Sequence, residues 1–313
     1  MINIQFPDGS KRTYEKGSTP LVIAQSISEG LARNVLSVKF KQRVIEPSTP
    51  LEEDGQIILY TWNDKEGKTA FWHSSAHILA QALLDLYPNC KLTIGPAIEN
   101  GFYYDVDFGD ETLTEKDLIA VEKKFIEFAR QKFEFKIRQS SKAEALAYYK
   151  KRENQYKVEL IENLEDGTIT FCDHANFTDL CRGGHIPHTG FIKAVKLLNV
   201  AGAYWRGDEN KPQLTRVYGI SFPKQKELNE YLELVELAKQ RDHRKLGKEL
   251  ELFTFSQKVG QGLPLWLPKG TALRESLEQF LRKAQQKAGY EQVISPHIAN
   301  KELYMTSGHY EKY

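Results

Sequence analysis

The chain has 313 residues, too many for one ordinary domain and enough for two or three. With 41% hydrophobic and 27% charged residues it has the composition of a soluble globular protein, and no apolar run approaches the roughly 20 residues that span a bilayer. The formal net charge is +1, so any nucleic-acid surface is a local patch; three cysteines and no basic-then-apolar leader indicate a reducing, cytosolic compartment without disulfides.

In chain order, MINIQF alternates apolar and polar residues, Pro7-Asp8-Gly9 marks a turn, and KRTYE pairs back as a hairpin. A helix-like PLVIAQSI and the strands LSVKF and QIILYTW complete a small β-rich unit over residues 1 to about 62, a pattern that suggests a β-grasp fold. After the polar break at 63–68, Thr69 is placed to cap a helix ending near Leu86. A second helix over about 115–132 puts Leu118, Val121, Phe125 and Phe128 on one face. Residues 168–222 read as short strands with turns at Gly183-Gly184 and Gly207-Asp208, so 63–223 is α+β as a whole. One long charged helix is expected from Pro223 to about Lys248, then a Gly/Pro-rich stretch, a helix from about Thr271 to Lys287 stopped by Gly289, and a strand YEQVIS. That last segment reads as the opening of a domain, not as a closed core.

The strongest local signal is His73-Ser-Ser-Ala-His77 inside a helix. Residues four apart share a face, so both imidazoles can converge on one point. Cys181-Arg-Gly-Gly-His185 repeats that spacing, but its glycine pair argues for a loop. Three His and one Cys form a zinc ligand set; they equally form a hydrolytic set, with a histidine as base and polar neighbours to orient water. A metalloprotease HExxH is excluded in form, since Ser74 stands where the Glu is needed. Gly95-Pro96-Ala97-Ile98-Glu99-Asn100-Gly101-Phe102-Tyr103-Tyr104-Asp105 adds paired tyrosines able to stack on a base or to pack as a hairpin. Lys157, Asp173, His174 and Asp179 lie around the second motif, and charges of this kind are usually solvated.

The succession HSSAH, GPAIENGFYYD, DLCRGGHIP, AGAYWRGD, RDHRKLGKELELF, GLPLWLPKG, GYEQVISP and SGHYEKY, behind a β-grasp module, resembles the bacterial-type threonyl-tRNA synthetases over the whole chain. The HxxxH…CxxxH pair alone is shared with alanyl-type editing domains; RDHRKLGKELELF and the N-terminal module are more specific. The resemblance implies a TGS domain at 1–62, an aminoacyl-tRNA editing domain at 63–223, a linker helix at 224–242 and the truncated start of a class II catalytic domain, with its first motif, at 243–313. The expected fold is therefore α+β: a β-grasp module, an α+β editing domain and the opening of a class II antiparallel-sheet domain. The later class II motifs that bind ATP, the threonine-reading zinc ligands and the anticodon-binding domain are not in this sequence.

The implied activity is hydrolysis of mischarged Ser-tRNA(Thr). Serine lacks one methyl of threonine, a difference that a binding pocket converts into only about 10- to 200-fold selectivity, so a second, excluding site is required. His73 or His77 is expected to activate water, Asp179 to orient water or the substrate amine, and Lys157 to stabilise negative charge or the leaving ribose oxygen. Cys181 and His185 are expected to shape the pocket and hold its water network, Tyr104 to contact the terminal adenosine, and Gly95 and Pro96 to bind substrate beside it. No cofactor is needed for editing on this reading, and zinc on His73, His77, Cys181 and His185 is the less favoured alternative; ATP, Mg and Zn belong to the full-length synthetase. The expected partner is the tRNA(Thr) acceptor end, with a homodimer for the full-length enzyme, no membrane, and a cytoplasmic location. Lys193, Lys196, Arg206 and Arg216 are candidate phosphate contacts. Two rival readings are a metal-dependent hydrolase unrelated to tRNA, which predicts stoichiometric zinc, and a non-catalytic tRNA-binding module, which predicts binding without turnover.

Overall fold

The computed structural model describes residues 1–312. Its contacts divide the chain into two compact units, Met1–Leu232 and Glu233–Tyr313. The first opens with β1 (Ile2–Gln5), β2 (Lys11–Tyr14), α1 (Pro20–Ile27), α2 (Glu29–Ala32), β3 (Ser37–Phe40), β4 (Arg43–Ile45) and β5 (Gly55–Tyr60). The sheet order is β2-β1-β5-β3-β4, with β1 and β5 parallel and the other neighbours antiparallel. This is the expected β-grasp arrangement, with β4 as a strand the sequence reading had not separated. Alternation sends Ile2 and Ile4 inward, where they meet Ile23 and Ala24 of α1 and Val38 and Ile57 of the sheet. Thr19 caps α1 by accepting from the Val22 amide, and Pro20 begins it.

The rest of this unit is built around α3 (Lys65–Leu86), which starts five residues earlier than a Thr69 cap would place it. Asp64 is its N-cap, and Thr69 lies inside the helix with its hydroxyl donating to the Lys65 carbonyl, so the polar 65–68 stretch is helical. Fourteen of its residues are buried, with Phe71, Ile78, Leu79 and Leu83 among the core. Such burial on nearly every side makes α3 the central strut rather than a surface helix. Next come β6 (Lys91–Leu92), β7 (Ala97–Ile98), β8 (Gly101–Asp107), α4 (Leu118–Arg130), β9 (Lys136–Gln139), α5 (Lys142–Lys150), α6 (Gln155–Glu162), β10 (Thr170–His174), β11 (Phe177–Leu180), β12 (Ala194–Tyr204) and β13 (Gln213–Phe222). An antiparallel sheet β12-β13-β8-β6, with β7 on β8, backs α3; a smaller sheet β11-β10-β9 carries α5 and α6. β12 and β13 are long strands of 11 and 10 residues, not the short ones expected.

In the second part of the chain, the expected single charged helix is two: α7 (Gln225–Gln240) and α8 (His243–Glu249). The break is at Asp242, whose side chain accepts from the Arg244 amide and caps a new helix. β14 (Phe253–Thr254) pairs β15 (Leu265–Trp266), followed by α9 (Pro268–Lys287) and α10 (Lys301–Thr306). The expected strand YEQVIS is not formed: residues 290–295 have no strand partner among the described residues, and Val293 and Ile294 are exposed. A β-propensity run without a neighbouring edge has nothing to accept its hydrogen bonds. Among the described residues no helix is long and apolar enough to cross a membrane.

Candidate active site

One turn of α3 separates His73 from His77, and their rings stand perpendicular with centroids 4.9 Å apart. Between them, Ser74 ties the helix to the second motif. Its hydroxyl donates to the Ala70 carbonyl at 2.7 Å, accepts from the Ile186 amide at 3.0 Å and lies 3.3 Å from His185 Nδ1. Cys181 leaves the end of β11, its amide donating to the Thr170 carbonyl and its carbonyl accepting from the Thr170 hydroxyl. The Cys181 Sγ sits 3.1 Å from His73 Nε2 and 3.2 Å from His185 Nε2. Residues 108 positions apart in sequence thus meet at one sulfur. The thiol has one proton for two imidazole nitrogens, so the other imidazole must donate to the sulfur.

A second cluster adjoins the first. Lys157 of α6 and Asp179 of β11 form an ion pair at 2.5 Å, with both side chains almost wholly buried. The same carboxylate accepts from the Tyr104 hydroxyl at 2.6 Å and the Tyr149 hydroxyl at 3.1 Å. Lys157 Nζ is 3.5 Å from the Tyr104 oxygen, and His77 Nδ1 is 4.0 Å from Asp179. His77 Nδ1 is buried without a hydrogen-bond partner among the described residues. A buried polar atom left without a hydrogen bond is costly, and the nearest charged group to this one is the Asp179 carboxylate.

That space is a cavity of about 1270 Å³ lined by His73, His77, Tyr104, Lys157, Asp179 and Cys181, with Gly95 and Pro96 on its rim. Gly95 has to be glycine: a Cβ there would lie 2.1 Å from the Tyr104 ring. His185 stands behind the lining, sandwiched between the rings of His73 and Phe135 at centroid distances of 4.5 and 4.9 Å. Its placement is that of a packing and orienting group. Tyr104 lines the cavity by its ring while its hydroxyl is committed to Asp179.

Burial sets the protonation states. It pushes His73 down to about 4, against the raising influence of Asp179 and of a hydrogen bond to the Gly95 backbone. Burial, then the neighbouring His185 and His73, holds His77 well below the usual imidazole range, and burial followed by His73 and His174 does the same to His185. The Cys181 thiol is pushed up to about 12, again by burial first. At neutral pH the cluster is therefore uncharged imidazoles around a thiol, beside a single buried ion pair.

The donor atoms of His73, His77, Cys181 and His185 lie within 4.8 Å of one another. Tetrahedral zinc with bonds of about 2.0–2.3 Å accepts such a set, provided the thiol gives up its proton. The residues therefore fit the ion. Three of the four candidate phosphate contacts are engaged internally. Arg216 grips Asp105 at 2.7 and 2.8 Å, Lys196 pairs with Glu122, and Arg206 pairs with Glu159.

Ser74 and Tyr149 belong to this site and were not singled out from the sequence. Ser74 had a signal: a serine between two histidines on a buried helix must spend its hydroxyl locally. Tyr149 had none, because its contact with Asp179 depends on where α5 packs.

The fold and cluster define a class: a β-grasp module joined to an α+β domain whose paired HxxxH and CxxxH motifs close on one cavity. Family models agree with both parts, matching a TGS domain over residues 2–61 and the threonyl and alanyl tRNA synthetase second additional domain over 169–218. The whole chain is 69% identical to a threonine–tRNA ligase of Flavobacterium johnsoniae, 67% to one of Flavobacterium psychrophilum and 61% to one of Cytophaga hutchinsonii. In each case the match takes in 100% of this chain and 48% of the relative, so the chain spans about half the length of the curated relatives it matches. Over that span the chain is similar to threonine–tRNA ligases.

Proposed function

We propose that the cavity hydrolyses the ester of serine mischarged onto tRNA(Thr). The observation that supports this most directly is the one cavity that brings together His77, His73, Cys181 and the buried Lys157–Asp179 pair. Neutral imidazoles with depressed basicity orient a water by their lone pairs more than they retain its proton. His73 or His77 accordingly takes a proton from the attacking water as its oxygen bonds to the ester carbonyl, and passes that proton to the ribose oxygen as the C–O bond breaks. Lys157 stabilises the negative charge that develops on the carbonyl or leaving ribose oxygen, and Asp179 fixes Lys157 and receives the substrate amine. Cys181 and His185 keep the His73 ring in register, and Tyr104, Gly95 and Pro96 form the surface against the terminal nucleoside. Were zinc bound, His73, His77, Cys181 and His185 would hold it and it would supply a polarised water; the steps above run through side chains alone.

For the whole protein we extend the reading to attachment of threonine to tRNA(Thr), with ATP and Mg for activation, zinc for threonine recognition, a homodimer and a cytoplasmic location. The names of the relatives support the ligase part. The domain division in this reading is a TGS domain at 1–62, an editing domain at 63–223, a linker at 224–242 and the beginning of the catalytic domain at 243–313.

The test is deacylation of Ser-tRNA(Thr) by the chain, with Thr-tRNA(Thr) as control and metal analysis after chelation. Loss of serine alone, slowed about 100-fold or more in Cys181→Ala and His73→Ala, is the expected result. Tight tRNA binding with no turnover would favour a non-catalytic role, and turnover that vanishes with chelation would favour the metal reading.

A further inference from the structure

The loop that carries the second motif is anchored from outside its own domain. Gly183 and Gly184 both have left-handed backbones, with φ of 91° and 86°. Two successive glycines in that region lose more freedom on ordering than any other pair, so the loop needs fixed partners. The Gly183 amide donates inward to the Cys181 Sγ at 3.3 Å. The Gly184 amide donates at 2.7 Å to Glu46 Oε1, which lies 138 residues away on the β-grasp module. Glu46 follows β4 directly and stands in a turn where its own carbonyl accepts from the Thr49 amide, so the carboxylate projects from a fixed backbone. The fit is close: a Cβ on Gly183 would come within 2.8 Å of the same Glu46 oxygen. The module also reaches the cavity itself, where Ser37 and Val44 are part of the wall.

We infer that Glu46 is a positioning residue for the hydrolytic site, the β-grasp module completing that site by fixing the loop between Cys181 and His185. The inference rests on the hydrolytic reading for its catalytic consequence, not for its geometry. The Cys181 sulfur meets His185 Nε2 at 3.2 Å across the turn that the two glycines make between them. A charge-assisted bond to the Gly184 amide is the tie that comes from outside the loop. Without it, the loop gains freedom and the sulfur loses its register with both imidazoles, while α3 and the Lys157–Asp179 pair stay in place. The substrate's aminoacyl end would still enter, but would meet a disordered wall.

The experiment uses the 313-residue chain with Glu46→Ala and Glu46→Gln, the second keeping an acceptor oxygen. Two readouts are taken: kcat and KM for deacylation of Ser-tRNA(Thr), and the rate of Cys181 alkylation by iodoacetamide, resolved by peptide mass spectrometry. Glu46→Ala is expected to lower kcat by about tenfold with KM within about twofold, and to speed Cys181 labelling by a similar factor. Glu46→Gln is expected to restore most of both, with the thermal midpoint of each variant near the parent's. Parent-like behaviour of Glu46→Ala in both assays, or equal impairment of Glu46→Gln, would overturn the inference. If the unmodified chain hydrolyses nothing, the hydrolytic reading fails by itself, and the labelling rates still decide whether Glu46 anchors the loop.

Discussion

At the scale of single residues, the site divides into groups that sequence spacing makes visible and groups that only burial makes meaningful. His73 and His77 are four apart on a helix, so their convergence follows from helical geometry alone. Lys157 and Asp179 are different. A lysine and an aspartate are ordinarily solvated, and nothing local marks these two; only the family resemblance brought them forward. Their burial, each at about 3% exposure, is what sets them apart from ordinary surface charges. It also exposes them to a sharp test. Lys157→Met leaves the Asp179 carboxylate buried without its cation, held by two tyrosine hydroxyls and the Leu180 amide, so we expect about 3–5 kcal/mol of lost stability together with loss of hydrolysis. Adding Asp179→Leu removes the stranded charge and should recover most of the stability, while hydrolysis stays lost. Denaturant unfolding and deacylation on the single and double variants separate the two effects. Recovery of both in the double variant would mean that the pair is structural.

At the scale of elements, α5 and α6 show how positioning is distributed. They deliver Tyr149 and Lys157 to Asp179 from one side, while α3 and the Cys181 loop close the other. The sequence carried cues for both helices. Ser141 and Glu144 make a capping box at the start of α5, and Asn154 caps α6. What obscured them was weak amphipathicity: their buried faces are narrow and mix tyrosine and lysine with aliphatic residues. Conversely, the 290–295 run has strong strand composition and forms no strand, because pairing partners and not propensity decide a strand. The α6 cap yields a prediction. Asn154 Oδ1 accepts from the Lys157 amide at 3.0 Å, and its amide donates to the Leu92 carbonyl at 2.8 Å. Asn154→Ala should cost about 1–2 kcal/mol and also shift the turn that aims Lys157, lowering the hydrolysis rate. Ser141→Ala removes a comparable cap on the solvent side of α5 and should cost stability without that loss of rate. Equal rates in the two variants, measured where both are fully folded, would show that the cap does not aim Lys157.

At the scale of the whole molecule, the feature that composition could not reveal is how many ionisable groups the core has taken in. A chain with eight histidines and a net charge of +1 looks unremarkable, yet four of those histidines are clustered in one interior. His174, like His185, stands outside the cavity wall. Its Nε2 lies 3.1 Å from Gln81 Oε1, its ring packs on Phe135 and Phe177, and its Nδ1 is buried unpaired among the described residues. Burial pushes it down to about 4, although Asp179 and Asp173 pull the other way. The folded state therefore binds its proton less readily than the unfolded chain, whose imidazole titrates near 6.5. Between these values the unfolded state carries more protons, so stability rises with pH; the contribution is whole above about 6.5 and is lost as pH falls towards 4. At pH 5, His174 alone should cost roughly 2 kcal/mol relative to neutral pH. The thermal midpoint should accordingly fall between pH 7 and pH 5, reversibly and before the bulk of the carboxylates protonate. His174→Asn keeps a polar side chain without the titration, and the comparison is of slopes, not of absolute midpoints. A shallower dependence of the midpoint on pH in that variant places the acid sensitivity at His174. An unchanged slope would assign it to the His73, His77 and His185 cluster, where acid would dismantle the cavity itself.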